Sequence, residues 1–377
     1  MSRILIYYSA NKRSNSIETY ALQLRAAGND VFFLTTCAQG DLHRFFDSNG
    51  FVYSDSTSEG KSFPVAFLIR FFELIQFCNR HKIDIIHSHL HPTNIVAVFA
   101  QYILKSKVVV FRHHLHHVLP GQNSGMINRN ERLFDRVISS LAKMIVVPSN
   151  GVYNGMVKDE GVSPGKLTVI PYIYDFGQYN RPDPSAVREI QMMYPCRLRL
   201  IMVSRLIKLK RHMSVFPVVK KLVETGIDIK LIVLDEGDEK ENLQNWIIEN
   251  GMHNHIFLVG FRRDFINYMA ASDMLIQPSL TDASNNVAKE MAMLEKVIAV
   301  SEGVGDYSDY VEDGVNGFLL PLANTEEKIE DCIRKVYENP DHYLEMGQRL
   351  RKTVLGKFDV SNSGWVMDLY ARLHARL

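Results

Sequence analysis

A cluster of cationic side chains follows one predicted strand in the second half of the chain. Its sequence is Val203-Ser204-Arg205-Leu206-Ile207-Lys208-Leu209-Lys210-Arg211-His212, and a predicted helix follows it. Arg205 offers a planar fork of hydrogen-bond donors and Lys210 a mobile point charge, at the strand-to-helix position where α/β proteins bind phosphate. These two residues, with Ser204 beside them, are therefore candidate ligands of a diphosphate. The alternative is an ordinary solvated basic loop.

Two carboxylates further along the chain could do complementary chemistry. Asp282 and Glu290 are separated by seven residues. Asp282 lies in a small polar loop after a predicted strand, and Glu290 lies near the start of the next predicted helix, which begins around Ser284-Asn285-Asn286. Amides at a helix N-terminus favour a phosphate or a sugar hydroxyl, and a carboxylate there can accept a pair of ribose hydroxyls. A capped helix with a surface acid is the alternative.

Histidines end two predicted strands in the first half of the chain. His87 and His89 end one strand, and His113 and His114 end the next. Histidines two residues apart can bind a metal, but no Asp, Glu or Cys accompanies either group, so we expect no metal site. We assign His87 and His89 to support of the neighbouring loop or of an acceptor substrate, with simple packing in the protein interior as the stronger alternative.

Short apolar runs that alternate with amphipathic segments must position these side chains. The runs are rich in β-branched residues and almost wholly apolar, as strands covered on both faces must be. They are 4–8, 31–35, 83–87, 107–111, 144–147 and 167–170, then 198–203, 229–234, 255–259, 274–276, 297–300 and 317–320. The alternation predicts right-handed βαβ units in parallel sheets, with ligands at the carboxyl ends of the strands.

A break in this alternation predicts the domain organisation. Three prolines fall in the stretch 171–184, and proline continues neither a helix nor a central strand. A length of 377 residues also suggests about two domains. We therefore predict two Rossmann-like, doubly wound α/β domains, 1–172 and 173–360, that face each other across a cleft.

The composition excludes several classes of protein. Hydrophobic residues make up 46% and charged residues 23% of the chain, which excludes a disordered or fibrous protein. A net charge of +1 provides no field for nucleic acid, and four distant cysteines form neither a disulfide framework nor a zinc site. Neither a signal peptide nor a membrane-spanning run is apparent, so we expect a cytoplasmic protein. The aromatic and basic helix at 67–82 favours burial against a sheet, with binding to an anionic membrane surface as the alternative.

The order and spacing of these segments resemble the retaining nucleotide-sugar glycosyltransferases of family 4. A basic R-x4-K loop precedes an acid-x7-E loop and helix, and three more stretches are similar to the family in order and spacing. They are the strand and turn 231–239, the strand and loop 255–261, and the segment 312–319, which is close to the family pattern D-G-x-N-G-x-L. The resemblance implies the GT-B fold, with 1–172 as acceptor domain, 173–360 as donor domain and a C-terminal helix, 361–377, that packs back toward the first domain.

The resemblance also implies roles for individual residues. Arg205 and Lys210 would bind the donor diphosphate, Asp282 would approach the donor sugar, and Glu290 would contact the ribose. The other implied donor-binding residues are Ser204, Gly260, Phe261, Ser284, Asn285, Asn286 and Val287. His113, with His114 as its rival, would hydrogen-bond a sugar hydroxyl or help to polarise the acceptor. The implied catalytic set is His113, Arg205, Lys210 and Asp282.

By this resemblance the chain would transfer a sugar, with retention, from a nucleotide-diphosphate sugar, UDP-sugar foremost, to a glycan or lipid-linked acceptor. No metal or cofactor is implied, and the setting would be bacterial surface polysaccharide or glycolipid assembly, in the cytoplasm or on the inner face of the membrane. Ala283-Ser284-Asn285 replaces the family's Gly-Phe-Gly, and Asp282 replaces its usual Glu. A nucleotide-sugar 2-epimerase of the same fold and a non-catalytic, sugar-nucleotide-binding partner of another transferase are the alternatives.

Overall fold

The computed structural model describes residues 1–113, 129–178 and 181–376, and the chain divides into two structural units. Unit 1 comprises Met1–Asp175 and Phe358–Leu377, and unit 2 comprises Phe176–Lys357. The boundaries predicted from the sequence, after residues 172 and 360, each lie three residues from those in the structure. The last part of the chain therefore belongs to unit 1.

The sheet of unit 1 is parallel throughout. Its described strands are β1 (Arg3–Tyr8), β2 (Asp30–Thr35), β3 (Val52–Asp55), β4 (Ile85–His89), β5 (Lys107–Phe111), β6 (Ile145–Val147) and β7 (Leu167–Val169). They lie in the order β3-β2-β1-β4-β5-β6-β7. Because the order reverses at β1, the helices that connect the strands cover both faces, as in other doubly wound folds.

Helices of unit 1 pack on the two faces of this sheet. They are α1 (Asn15–Ala26), α2 (Asp41–Ser48), α3 (Phe63–His81), α4 (His91–Ala100), α5 (Arg129–Leu141) and α6 (Asn150–Lys158). Side chains of a strand alternate between faces: Phe33 packs in the core shared with α1 and α2, whereas the neighbouring Phe32 contacts Phe77 of α3. The helices α3, α4 and α5 pack against one another. They therefore cover the face opposite α1 and α2.

The sheet of unit 2 has the same winding. Its described strands are β8 (Leu198–Val203), β9 (Ile229–Leu234), β10 (Ile256–Gly260), β11 (Met274–Gln277), β12 (Val297–Ser301) and β13 (Phe318–Leu320). They are parallel and lie in the order β10-β9-β8-β11-β12-β13. Because β8 and β11 are neighbours, the loops that follow them leave the same edge of the sheet side by side.

The helices of unit 2 cover both faces of its sheet. They are α7 (Pro184–Met193), α8 (Phe216–Glu224), α9 (Lys240–Glu249), α10 (Phe265–Ala271), α11 (Asn286–Met293), α12 (Tyr307–Tyr310), α13 (Thr325–Glu338) and α14 (Pro340–Phe358). Short 3₁₀ turns occur in both units: Pro164–Lys166 and Val360–Asn362 lie in unit 1, and Phe176–Gln178, Lys208–Lys210 and His212–Ser214 lie in unit 2. Apolar side chains of α8, α9 and α13 form one buried core with the strands.

The C-terminal helix, α15 (Gly364–Arg376), packs on unit 1. Val366, Tyr370 and Leu373 lie in the core that contains α1, and the ring of Tyr370 stacks on Tyr20 at 4.6 Å between centroids. The backbone fixes the return of the chain, because the Tyr174 amide donates to the Phe358 carbonyl oxygen at 2.8 Å. Unit 1 therefore depends on residues from both ends of the chain.

Candidate functional site

The loops that follow β8 and β11 meet at the carboxyl edge of the unit 2 sheet. Lys210 Nζ lies 2.9 Å from Asp282 Oδ2 and also donates to the Thr281 carbonyl oxygen at 3.4 Å. The backbones are joined as well, because the Leu280 amide donates to the Leu209 carbonyl oxygen at 2.8 Å. Two segments that are distant in the sequence thus form one charged cluster.

The Asp282 carboxylate is held in its charged form. Burial acts to raise its pKa, but the charge of Lys210 and hydrogen bonds from Asn285 and Ala283 outweigh burial, so that the pKa lies below its usual value. Asn285 Nδ2 donates to Asp282 Oδ2 at 2.9 Å, and the Ala283 amide donates to Oδ1 at 3.1 Å. Asp282 is therefore an acceptor at neutral pH, and its charge offsets that of Lys210.

The N-terminus of α11 adjoins this ion pair. Asn285 caps the helix, since its side-chain oxygen accepts from the Ala288 amide at 2.9 Å while its side-chain amide reaches Asp282. Asn286 and Val287 follow in the first turn, where backbone amides have no acceptor within the helix. The amides predicted to bind phosphate thus lie at the positive end of the α11 dipole, beside the Lys210–Asp282 pair.

A buried ion pair that the sequence did not predict lies beneath this loop. Lys289 on α11 is fully buried, and its Nζ lies 2.6 Å from Oδ2 of the buried Asp306. Ser284 Oγ donates to the same oxygen at 2.6 Å, and Lys289 Nζ donates to the Asn285 carbonyl oxygen at 3.1 Å. Burial raises the pKa of Asp306 despite the nearby charge of Lys289. The pair ties Ser284 and Asn285, two predicted donor ligands, to the segment before α12.

Glu290 is a buried carboxyl group next to Lys289. Burial raises its pKa to about 7, and the charge of Lys289 partly opposes this shift. No described residue donates a hydrogen bond to its side chain, although only 7% of the residue is exposed. A buried carboxyl group with unused acceptor atoms is suited to receive hydroxyl groups from a ligand.

Arg205 lies outside the Lys210–Asp282 cluster. Its side chain is exposed and makes no hydrogen bond to a described residue. The loop that carries it is held in place, because the Leu206 amide donates to the Glu236 carbonyl oxygen at 3.0 Å. A Cβ on Gly237 would lie 2.4 Å from the Leu206 carbonyl oxygen, so this close approach requires glycine. Arg205 is thus a cation on a fixed backbone with its donors open to solvent.

The remaining predicted donor ligands follow β8 and β10 at the same edge. Ser204 is buried, and its hydroxyl lies 3.3 Å from His212 Nε2. Gly260 has a φ of +83°, and a Cβ there would lie 2.8 Å from Glu236 Oε1. The next residue, Phe261, is 66% exposed. Its ring therefore offers apolar surface to a ligand, whereas Ser204 is already engaged within the protein.

His87 lies in the interior of unit 1, at the end of β4. Its Nδ1 is hydrogen-bonded to the Tyr20 hydroxyl, and its Nε2 lies 3.0 Å from Nε2 of His374 on α15. Burial, and then the neighbouring His374, lower its pKa well below the usual value, so the ring is neutral at pH 7. His87 therefore joins β4 to the C-terminal helix, and its assignment to the acceptor side stays a prediction.

His89 and His113 form a hydrogen-bonded chain with Tyr172. His113 Nε2 lies 3.1 Å from His89 Nδ1, and His113 Nδ1 is hydrogen-bonded to the Tyr172 hydroxyl. His89 Nε2 is buried without a hydrogen-bond partner among the described residues, and His89 and Tyr172 help to line a small pocket in unit 1. Both ring nitrogens of His113 are thus engaged, so a sugar hydroxyl could bind only after one of these bonds opened. His114 lies outside the described residues.

The described part of the chain has neither a metal-binding cluster nor a membrane-spanning helix. Across residues 1–113, 129–178 and 181–376, no group of three or more His, Cys, Asp or Glu side chains could hold a metal ion. None of the helices that the structure describes is long and apolar enough to cross a lipid bilayer. The expectation that the chain works without a metal is not tested by these findings and stays a prediction.

Two family models match the chain, and together they follow its division into units. The model described as Glycosyltransferase Family 4 matches residues 14–176, and the model described as Glycosyl transferases group 1 matches residues 193–353. The chain belongs to glycosyltransferase family 4. The family resemblance seen in the motifs is therefore confirmed, and with it the prediction of a glycosyltransferase.

Individual relatives are distant but extend over most of the chain. An uncharacterised glycosyltransferase of Methanocaldococcus jannaschii is 18% identical over 326 residues, which cover 77% of this chain and 80% of the relative. The UDP-Gal:alpha-D-GlcNAc-diphosphoundecaprenol alpha-1,3-galactosyltransferase of Escherichia coli is 21% identical over 313 residues, or 80% of this chain and 78% of the relative. These lengths include residues from both units of this family 4 glycosyltransferase.

The solved structure of HepE from Anabaena in complex with UDP has a similar fold. Its TM-score with this chain is 0.78 at 17% identity, and the match covers 100% of both chains. The predicted fold class, two parallel-sheet α/β domains of the GT-B type, is confirmed. At this level of identity the likeness concerns the fold alone.

Proposed function

We propose that this glycosyltransferase transfers a sugar from a UDP-sugar to a hydroxyl group of a glycan or lipid-linked acceptor, with retention at the anomeric carbon and without a metal ion. UDP as the nucleotide is supported by the UDP in the HepE complex and the UDP-Gal in the name of the E. coli relative. A lipid-linked acceptor is supported by the diphosphoundecaprenol in that same name. Action at the inner face of the membrane would follow from such an acceptor and stays a prediction.

The observation that carries this proposal is the meeting of Lys210 with Asp282 and Asn285 beside the first turn of α11. Cleavage of the anomeric C–O bond leaves negative charge on the departing diphosphate. Lys210 and the amides of α11 would oppose that charge. Arg205 would do so too, because its hydrogen-bond donors are open to solvent. Because the loops are fixed before the ligand arrives, little reorganisation is needed during the reaction.

Glu290 and Phe261 would hold the nucleoside. The Glu290 carboxyl group has unused acceptor atoms, and a ribose carries two hydroxyl donors that such a group can bind. Phe261 would offer its exposed ring to the base. The two side chains would thus bind the ends of the nucleoside, and the Lys210 cluster would bind its diphosphate.

Retention would follow from attack on the face from which the diphosphate departs. In that route the acceptor oxygen bonds to the anomeric carbon, the C–O bond to the diphosphate breaks, and a departing phosphate oxygen takes the acceptor's proton. The engagement of Asp282 by Lys210, Asn285 and the Ala283 amide supports this route, because a carboxylate so engaged is a poor covalent nucleophile. Fixed cations can also provide the positive charge that a metal provides in other enzymes.

The direct test is transfer by the whole protein with UDP-, GDP- and ADP-sugars and a diphosphoundecaprenol-linked acceptor in the presence of EDTA. We expect transfer with a UDP-sugar, and an anomeric configuration in the product, determined by NMR, that matches the donor. Inversion, or a strict requirement for a divalent metal, would contradict the mechanism. Formation of an epimer from the donor alone would instead indicate the epimerase alternative.

Arg205→Gln provides the matched variant for this assay, because its side chain has no hydrogen bond to a described residue that the change could break. We expect a loss of roughly 10²–10³ in kcat, as for removal of a group that stabilises developing charge. Lys208→Gln, on the same loop and also exposed, is the control and should stay within a few-fold of the parent. Equal losses in both variants would mean that general loop charge, not a positioned guanidinium, supports the reaction.

A further inference from the structure

The outward face of α3 is apolar over its first three turns, where a helix of a soluble domain is usually polar, and exposed Gln76 and Asn79 continue this face as polar residues. The buried side of α3 is formed by Ala66, Leu74, Phe77 and Cys78, which pack toward the sheet. Val65, Leu68 and Phe72 follow one another at spacings of three and four residues on the opposite side and are 47%, 55% and 65% exposed. Burial against the sheet and binding to a membrane surface are alternatives for this helix by its sequence, but α3 has one apolar side buried and a second one exposed.

Neighbouring helices extend this apolar surface. Phe67 contacts Phe99 of α4 with ring centroids 5.7 Å apart, and Phe63 contacts Phe134 of α5 at 4.8 Å. The exposed apolar side chains on these three helices and the turn after α4, here called the apolar face, are Phe63, Val65, Leu68, Phe72, Phe99, Tyr102, Ile103 and Leu133. Together they expose roughly 800 Å², above the 300–600 Å² of the largest patch on a typical monomer.

Basic residues accompany the apolar face. Between residues 61 and 107 the chain has six Lys and Arg residues and two Asp and Glu residues. Exposed cations in and around these helices include Lys61, Arg80, Lys105 and Arg136. One of the two acids, Glu73, already accepts hydrogen bonds from the Thr57 amide and hydroxyl. Exposed apolar side chains with exposed cations on and beside the same helices complement an anionic lipid surface, which has acyl chains below and negative headgroups above.

We infer that the apolar face of α3, α4 and α5 docks unit 1 onto an anionic membrane surface. Phe72, Leu68 and their neighbours enter the boundary between headgroups and acyl chains, while the cations contact the headgroups. A protein partner would need a matching acidic rim, and a second copy would bring like charges together, so charge favours lipid. The inference does not rest on the proposed reaction, because it concerns the surface of unit 1 alone.

The test is sedimentation of the full chain with vesicles of phosphatidylcholine alone or mixed with phosphatidylglycerol, without nucleotide. We expect binding to the anionic vesicles and a loss of about ten-fold or more in partition for Leu68→Glu/Phe72→Glu. The matched control is Met193→Glu/Ile248→Glu, which places two charges on exposed apolar positions of unit 2 and should bind like the parent. Arg136→Glu should weaken binding to the anionic vesicles by roughly five-fold or more.

Three results would overturn the inference: no binding of the parent, equal binding of Leu68→Glu/Phe72→Glu, or equal losses in the unit 2 control. Light scattering without lipid tests whether a second copy of the chain covers the apolar face instead. If the parent is a dimer and Leu68→Glu/Phe72→Glu is a monomer, the face belongs to the second copy. Far-ultraviolet circular dichroism and melting of each variant confirm that it folds, as expected for exposed positions. Vesicle binding without sugar transfer would support the docking surface while contradicting the proposed function, so the two proposals fail separately.

Discussion

The two sheets share a strand order, apart from one further strand in unit 1, but their carboxyl edges differ in electrostatic character. In unit 1, β4 ends in His87 and His89, whose buried rings are neutral because burial lowers their pKa values. In unit 2, the loops after β8 and β11 carry Lys210 and Asp282, a charged pair whose acid has a lowered pKa. The comparison shows that the fold fixes where a site lies, whereas the loop residues decide whether it offers charge or neutral hydrogen-bonding groups.

The largest effect is expected at the buried ion pair of unit 2. Lys289→Met removes the cation that faces Asp306 and leaves a buried carboxyl group without its partner charge. Loss of one member of a buried pair typically lowers the free energy of unfolding by about 3–5 kcal/mol. Calorimetry should show this as a lower melting temperature, and nucleotide affinity should fall too because Ser284 and Asn285 lose their anchor.

Two variants serve as controls for this prediction. Lys289→Met/Asp306→Asn removes both charges and should recover much of the lost stability. Lys335→Met breaks an exposed pair with Asp331 within α13 and should cost at most about 0.5 kcal/mol. A Lys289→Met protein as stable as the parent would contradict the buried network and remove one side of the comparison.

The neutral edge of unit 1 predicts a dependence of stability on pH. His87 and His89 have lowered pKa values, and they are surrounded by His374, His113, Tyr20 and Tyr172, with no opposing carboxylate among the residues that the structure describes. As pH falls below about 6.5, the unfolded chain binds protons that the folded chain does not, so the free energy of unfolding decreases. The expected slope is about 1.4 kcal/mol per pH unit for each histidine.

Hydrogen exchange at the amides of β4, corrected for intrinsic rates, measures this slope. His87→Gln should remove the contribution of one histidine, whereas His342→Gln, at an exposed position on α14, should leave the slope unchanged. An unchanged slope in His87→Gln would mean that His87 is not held neutral by the fold.

Glu290 makes the stability of unit 2 depend on pH as well, with a smaller effect than the histidines of unit 1 and in the opposite direction. Its pKa is raised from 4.5 to about 7, so the unfolded chain loses the proton first and stability falls as pH rises through this interval. The ionised form accepts ribose hydroxyls better, so affinity for UDP should increase as pH rises through about 7. Calorimetric titration should find that the affinity of Glu290→Gln for UDP is nearly independent of pH. At pH 8 this affinity should be about ten-fold weaker than that of the parent.

The matched control for this prediction is Glu302→Gln, at an exposed position after β12. It should follow the parent at every pH. If Glu290→Gln kept the parent's pH dependence, Glu290 would not contact the ribose, and the raised pKa would be only a consequence of packing.

Much of the fold could be predicted from the sequence, and the misses have local causes. The runs at β5, β8 and β9 predicted those strands with the observed bounds, because they are apolar and pair on both sides. β3 was missed, since Val52-Tyr53-Ser54-Asp55 forms an edge strand that is partly exposed and polar. The signal for α4 is weak too, because this helix is buried nearly all round and lacks the amphipathic pattern of a surface helix.

The site could be predicted in part. Lys210 and Asp282 lie together because the ends of neighbouring parallel strands are adjacent, which motif order and strand order together predict. The Lys289–Asp306 pair could not be predicted, since a helical lysine is usually exposed and its burial depends on packing against α12. The sequence offers one signal for this burial, because Lys289 lies beside Glu290 in the otherwise apolar run 287–292. The bonds of His113 to His89 and Tyr172 depend on tertiary contacts in the same way.

The central claim is that the edge of unit 2 binds a diphosphate, and affinities for UDP and uridine test it most directly. The ratio of the two affinities isolates the contribution of the diphosphate. For the parent we predict a large ratio, and for Arg205→Gln and Lys210→Met/Asp282→Asn a ratio smaller by roughly ten-fold or more, with uridine affinity unchanged. If the variants kept the parent's ratio, Arg205 and the Lys210–Asp282 pair would not bind the diphosphate, and the account of this site would be wrong.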